Sequence, residues 1–298
     1  MAQSLISIII PTNNEAHDGR LLTTIKSMCS QSYRNLEILV VDDHSTDNTR
    51  EIVQKVAVND SRVKYHLLPS CDTKRKHRLP TITNGKLRLR DYDVNGGYIA
   101  RNYGFTIAQG DYIALQDADD ASLANRIEAQ YNLLKKYDAT LVAIQWMQLK
   151  NEYIPKKLDI EKIFREIGED NIIIRPETIA AMAKKNKGIL MNPRFPHQYI
   201  PFICKWFPLT RPFFFAGIDN YPGADNSMLF KREVVDKVKF RPYNERVWPN
   251  PYGRGSGRDF AFQVAETFKN SWSFKLPLYL WRATSPNKDF YGYEKYFV

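Results

Sequence analysis

The residues best suited to chemistry are acids that follow short apolar runs. Leu39-Val40-Val41 leads into Asp42-Asp43, and Ala114-Leu115-Gln116 leads into Asp117-Ala118-Asp119-Asp120. Carboxylates crowded into four positions repel one another strongly unless a cation sits among them. Hard oxygen donors suit Mg2+ or Mn2+, above all where substrate phosphates complete the shell. A carboxylate at a strand end also serves as a helix N-cap, and one of the three is expected to do so. Two further acids follow glycine in the second half: Asp225 in Gly223-Ala224-Asp225-Asn226, and Asp259 in Gly257-Arg258-Asp259-Phe260. The glycine-rich run 251–257 ahead of Asp259 suits a mobile active-site loop. It imitates a dinucleotide-binding loop, but no apolar strand precedes it. The histidines show no ligand spacing.

Such residues need a scaffold that brings strand ends together, and the first 150 residues supply one. Residues 5–10 form a β-branched run read as a buried strand. Leu21, Leu22, Ile25, Met28 and Cys29 follow at helical spacing. Residues 36–41 read as a second strand, apolar throughout as central parallel strands are. Asn48 with Glu51 has the form of a capping box ahead of a helix carrying Ile52, Val53 and Val56. The pattern then predicts a strand at 63–68, a helix at 98–108, a strand at 112–116, a helix at 126–136 and a strand at 141–147. This rhythm predicts an α/β fold whose mainly parallel sheet has helices on both faces. Ligands of such sheets sit at the carboxyl ends of the strands. Beyond residue 150 the pattern loosens. Helices are expected at 158–167, 176–185 and 260–268, and strands at 227–230 and 272–281. A short helix should run to residue 238. The second half reads as an elaboration on the same sheet.

Composition narrows the class. The chain of 298 residues is 43% hydrophobic and 26% charged, which excludes a disordered chain, a collagen-like repeat and a coiled coil. Cys29, Cys71 and Cys204 have no C-x-x-C spacing. That excludes a disulfide framework and a zinc ribbon, and fits a reducing, cytoplasmic compartment. A net charge of +10 points to an anionic partner: nucleic acid, phospholipid or a phosphorylated small molecule. Lys74, Arg75, Lys76, Arg78, Lys86, Arg88 and Arg90 crowd residues 74–90 with no acid among them. That is the pattern of a solvated loop or of a lid that grips phosphate. The apolar run 6–10 is too short for a signal segment, and charges and prolines break up residues 200–218. Neither a targeting signal nor a transmembrane helix is expected; contact with a membrane surface remains open.

Four blocks carry a resemblance. They are Ile8-Ile9-Ile10-Pro11-Thr12-Asn13-Asn14-Glu15, Leu39-Val40-Val41-Asp42-Asp43-His44-Ser45-Thr46-Asp47, Ala100-Arg101-Asn102-Tyr103-Gly104 and Gly110-Asp111-Tyr112-Ile113-Ala114-Leu115-Gln116-Asp117-Ala118-Asp119-Asp120. In this order and spacing they resemble family 2 glycosyltransferases of the GT-A fold. The resemblance implies a metal-dependent, inverting transferase. It would move a sugar from a nucleotide-sugar donor, a UDP-sugar above others, to an acceptor hydroxyl in glycan or polysaccharide synthesis. Residues 1–120 would be the nucleotide-sugar-binding half, and 121–298 the acceptor-binding and catalytic half of the same domain. Pro11, Asn13 and Glu15 would border the nucleotide, and Asp43 would accept a hydrogen bond from the base. Arg101 would lie against the diphosphate. Asp117 and Asp119 match the D-x-D motif that holds Mn2+ or Mg2+, with Asp119 the more direct ligand and Asp117 also beside the donor. Asp259 would be the catalytic base, although Arg258 stands where a second acid is usual; Asp225 is the reserve candidate.

The C-terminal segment departs from the family. Where relatives read R-x-H, this chain has Arg282-Ala283-Thr284, which leaves a third metal ligand from the tail in doubt and suggests Arg282 for the donor phosphates. The excess charge is read as meeting an anionic or membrane-linked glycan or glycolipid acceptor through residues 74–90 and 184–211. Nucleic acid is not the expected partner. Three other readings compete. A sugar nucleotidyltransferase needs a glycine-rich loop where Pro11-Thr12-Asn13-Asn14-Glu15 stands. A basic nucleic-acid-binding protein leaves the ordered acidic clusters unexplained. A degenerate family member would bind nucleotide without turnover.

Overall fold

The computed structural model describes residues 3–71, 76–83, 86–93, 95–150, 152–190, 207, 209–214, 216–242, 245–248 and 255–298. Lys74, Arg75, Cys204 and residues 251–254 of the glycine-rich run lie outside these, as does much of 184–211. In chain order the strands are β1 (Ile6–Thr12), β2 (Leu36–Asp42), β3 (Val63–Leu67), β4 (Lys76–Thr83), β5 (Lys86–Asp93) and β6 (Tyr112–Leu115). Then follow β7 (Ala121–Ser122), β8 (Leu141–Gln148), β9 (Ile173–Ile174), β10 (Leu229–Lys231) and β11 (Ser271–Trp281). The helices that matter to the site are α1 (Arg20–Cys29), α2 (Thr49–Ala57), α3 (Tyr98–Ile107) and α4 (Arg126–Lys136).

One nine-stranded sheet runs in the order β3-β2-β1-β6-β10-β8-β11-β7, with β9 also on β11. Strands β3, β2, β1 and β6 are mutually parallel, as the βαβ rhythm predicts. β10 enters antiparallel between β6 and β8, and β11 lies parallel to β8. The second half therefore continues the sheet begun by the first.

Both faces are covered, which is why β1 and β2 are buried at every position. Ile6, Ile8 and Ile10 pack with Leu21, Ile25 and Met28 of α1 on one face, and Ile9 packs with Ala100 and Phe105 of α3 on the other. Burying each such isoleucine stabilises the fold by about 1.5–3 kcal/mol relative to exposure. At Gly104 an added Cβ would meet Ile9 Cγ2 at 2.6 Å, so the absence of a side chain lets α3 lie flat on β1.

Four local expectations are corrected. The helix after β2 forms, but Asn48 makes no side-chain cap. Asp47 does that work, accepting from the Thr49 N–H (3.1 Å) and hydroxyl (2.6 Å). Where a solvated loop or lid is expected at 74–90, the described residues 76–83 and 86–93 form β4 and β5, an antiparallel ribbon separate from the main sheet. The helix expected at 260–268 begins at Ser256, so Asp259 falls inside its first turn. The helix expected at 176–185 continues to Leu190. Among the described residues, no helix is long and apolar enough to cross a membrane.

Candidate active site

The carboxyl ends of β1, β2, β6, β8 and β11 open on one cavity of about 950 Å3. Parallel strands deliver their last residues to the same edge, so residues far apart in sequence converge there. Pro11, Thr12, Asn13, Glu15 and Asp43 form one wall. The two neighbouring acids after β2 have separate tasks. Asp42 is turned inward and accepts from the Tyr65 hydroxyl (2.8 Å), the Ser45 N–H (2.9 Å) and the Ser45 hydroxyl (2.5 Å). Asp43 lines the cavity. Its backbone is fixed by the Asn13 amide donating to its carbonyl (2.6 Å) and by its own N–H donating to the Thr12 carbonyl (2.9 Å). Burial, and then the charge of Asp119, push the Glu15 carboxyl above its ordinary range.

Arg101 projects from the first turn of α3 and is buried at the cavity wall. Its guanidinium donates to Asp117 Oδ1 at 2.5 Å and to the Gly96 carbonyl. The other carboxylate oxygen of Asp117 accepts from the Asn226 amide at 2.6 Å. Asp120 is held from the C-terminal segment, by the Tyr279 hydroxyl (2.9 Å) and the Arg282 N–H (2.8 Å). The following helix, α4, starts from Asn125 without a side-chain cap, and the partners that hold Asp117 and Asp120 are Arg101, Asn226, Tyr279 and the Arg282 N–H rather than a helix start. Arg282, expected at the donor phosphates, instead donates from Nε to the Asp119 carbonyl (3.0 Å) and braces the acidic turn.

The carboxylates of Asp117, Asp119 and Asp120 reach within 4.8 Å of one another. Burial, together with the charges of Asp119 and Asp117, pushes the Asp120 carboxyl well above the ordinary carboxylate range. An all-oxygen set whose members repel this strongly fits a hard divalent cation. Asp117 and Asp120 are oriented by their partners, and Asp119 completes the group from the cavity wall.

The structure does not bring Asp259 to this cavity. Its side chain is fully buried. It accepts from Arg241 Nε and Nη2 (each 2.9 Å), from the N–H groups of Val247 (2.8 Å) and Trp248 (3.1 Å), and from the Gln263 amide (2.9 Å). Five donors on two oxygens leave no lone pair directed at a substrate. The reason is the early helix start, which turns Asp259 inward and presents Ser256, Gly257 and Arg258 to the cavity. Asp225 does line the cavity. A Cβ at Gly257 would collide with the Asp225 carbonyl, so glycine there permits the helix start to press against this acid. Burial pushes the Asp225 carboxyl up, and Arg258 and Arg101 pull it back.

Residues 7–71 and 76–194 match the model of Glycosyl transferase family 2, more than half of the chain. The chain belongs to glycosyl transferase family 2. Among curated relatives of this family 2 chain, the UDP-Glc:alpha-D-GlcNAc-diphosphoundecaprenol beta-1,3-glucosyltransferase WfgD of Escherichia coli is 30% identical over 174 residues, 56% of this chain and 58% of its own. Glycosyltransferase GlyG of Streptococcus pneumoniae is 30% identical over 138 residues, 46% of this chain and 38% of its own. The matches thus span roughly half of the relatives' length. The crystal structure of S. aureus TarS 1–349 in complex with UDP superposes with a TM-score of 0.51 at 15% identity, covering 93% of this family 2 chain and 60% of that one. That likeness is one of fold, and the fold is GT-A.

Sequence reasoning missed several cavity residues: Asn220, Tyr221 and Asn226 before β10, Trp146 on β8 and Trp281 at the end of β11. A tryptophan closing a strand ahead of Arg282 was a usable signal for the last of these. The amides carried none, because their placement depends on the course of residues 216–228.

Proposed function

We propose that this chain transfers a sugar from a nucleoside diphosphate donor to an acceptor hydroxyl, with inversion at the anomeric carbon. The observation that carries this reading is the convergence of Asp43, Arg101, Asp117 and Asp119 on one cavity. Asp43 is an acceptor-only group, suited to the N3–H of uracil, which favours a UDP-sugar. Pro11, Asn13 and Glu15 border the nucleotide. Arg101 meets the diphosphate with charge-assisted hydrogen bonds. Asp119, with Asp117 and Asp120 behind it, would hold Mn2+ or Mg2+, which supplies Lewis-acid stabilisation of the diphosphate when bound.

The base is assigned to Asp225 in place of Asp259. The acceptor oxygen attacks the anomeric carbon as its proton passes to the Asp225 carboxylate. The bond to the diphosphate oxygen breaks with its electron pair, and Arg101 meets the growing charge. The acceptor is read as a membrane-linked glycan. The Escherichia coli relative is named for a diphosphoundecaprenol-linked substrate, and the basic β4–β5 ribbon suits an anionic membrane surface on the cytoplasmic side.

The test is a thermal-shift panel of UDP, GDP, CDP and dTDP, each with and without Mn2+. Ligand at ~100 times its dissociation constant adds ~2.7 kcal/mol, which is readily seen as a rise in melting temperature. A metal-dependent rise with UDP that disappears in Asp119→Ala is the expected result. No rise with any nucleotide in the presence of Mn2+ would refute the reading.

A further inference from the structure

Across the sheet, the cavity residues stand in a definite order. β2 leads into Asp43 and β1 carries Pro11, β6 leads into Asp117 and Asp119, and β8 and β11 carry Trp146 and Trp281. Strands β6 and β10 thus separate the two tryptophans from the wall assigned to the nucleotide. The two indoles meet edge to face, with ring centroids 4.6 Å apart and planes at 86°. Trp146 is the supporting ring and is partly buried, whereas Trp281 is 45% exposed although it lines the cavity. Among the described residues, Trp146 is the one aromatic partner of Trp281.

The segment after β11 fixes this corner. The Asn287 amide donates to the Trp146 carbonyl (2.9 Å), and Asn287 Oδ1 receives the Asp289 N–H (3.3 Å). Asn287 and the exposed Asp289 line the same end of the cavity. An open indole face flanked by an amide and a carboxylate is the chemistry that receives a pyranose. The apolar C–H face of the ring lies on the indole, and its hydroxyls meet the polar groups at the edge. The same end is poorly suited to an anion. The described cations of the cavity wall are Arg101 and Arg258. Arg101 is the group assigned above to the donor diphosphate, and Arg258 donates from Nη2 to Asn220 Oδ1 at 2.6 Å.

We infer that the Trp146–Trp281 corner, with Asn287 and Asp289, is the acceptor subsite, and that the group it receives is a saccharide ring rather than a bare lipid phosphate. The inference rests on the transferase reading above and names the class of its second substrate. Trp281 is the stacking residue; Trp146 and Asn287 are positioning residues that set its angle.

The experiment compares the wild type with Trp281→Ala and Trp281→Phe, using UDP-sugars with Mn2+ as donors. The acceptors are p-nitrophenyl pyranosides on one side and farnesyl phosphate on the other. The UDP thermal shift is read in parallel, and it reports an intact fold and donor wall in each variant. Transfer to a pyranoside is expected, with acceptor KM rising about tenfold or more in Trp281→Ala. Trp281→Phe should restore most of that loss, and kcat should change less than KM. An acceptor KM unmoved by Trp281→Ala, or transfer to farnesyl phosphate and to no pyranoside, overturns the inference while UDP binding still supports the donor site. A wild-type chain that neither shifts with UDP nor uses any UDP-sugar removes the transferase reading, and this inference with it.

Discussion

Asp225 and Asp259 are both acids that follow a glycine in the second half, and the structure gives them opposite surroundings. Asp225 lines the cavity; Asp259 is locked to Arg241 and two backbone N–H groups. Their asparagine variants should therefore fail in different ways. Asp225→Asn is expected to fold normally and lose about 10²–10⁴-fold in kcat. Burial holds the Asp225 carboxyl above its usual range, so wild-type transfer should fall, as pH is lowered, at a higher pH than an ordinary aspartate would give. That acid limb should vanish from the residual activity of the variant. Asp259→Asn is expected to lower stability by about 3 kcal/mol in urea unfolding, because Arg241 loses its buried counter-charge. Its rate per folded molecule should change little. The opposite pattern would return the base to Asp259. The acidic pair of the D-x-D block was legible because its geometry is set within four residues at one strand end. Which later acid faces the cavity was not legible. It depends on the helix starting at Ser256 and on Arg241 and Val247, which lie 18 and 12 residues from Asp259.

At the scale of elements, the site depends on how closely α3 lies on β1, because Arg101 rides on that helix. Gly104→Ala places a methyl group against Ile9 and should cost about 1–3 kcal/mol by overpacking. It should also weaken UDP binding, through displacement of Arg101. Unchanged melting temperature and unchanged UDP affinity would show that α3 has more room than the structure gives it. The strands and helices of the first 150 residues were legible from apolar runs and helical spacing, since each buries its own face locally. The β4–β5 ribbon was not. Its run of cations conceals an alternating pattern, and the pairing that reveals it, Ile82 opposite Leu87 and Pro80 opposite Leu89, is a matter of register. β10 was placed near its true position, but nothing local says that a three-residue strand enters antiparallel between β6 and β8.

At the scale of the whole molecule, the ribbon extends the chain beyond its main sheet. Leu87 and Leu89 share one face by register and are 56% and 61% exposed; Lys86 and Arg88, also exposed, take the other face. An apolar face backed by cations suits an anionic bilayer surface, where each cation near the surface contributes about 1 kcal/mol. The chain should therefore float with vesicles containing phosphatidylglycerol and not with neutral ones. Lys86→Ala combined with Arg88→Ala should reduce flotation several-fold and leave the UDP thermal shift unchanged. Equal flotation of variant and wild type would show that the ribbon has another purpose. The ribbon also runs directly into Gly96 and Gly97 at the cavity rim, so a docked ribbon would keep the mouth of the site near the surface it binds.

The ion pair between Arg101 and Asp117 bears on how a reaction cycle ends. On the reading above, the guanidinium that meets the diphosphate has a carboxylate waiting 2.5 Å away whenever the donor is gone. Departure of the spent nucleotide is then an exchange of counter-ions, with Asp117 acting as an internal competitor that fills the vacated contact. The barrier to product escape is lowered because no buried cation is stranded at the moment of release.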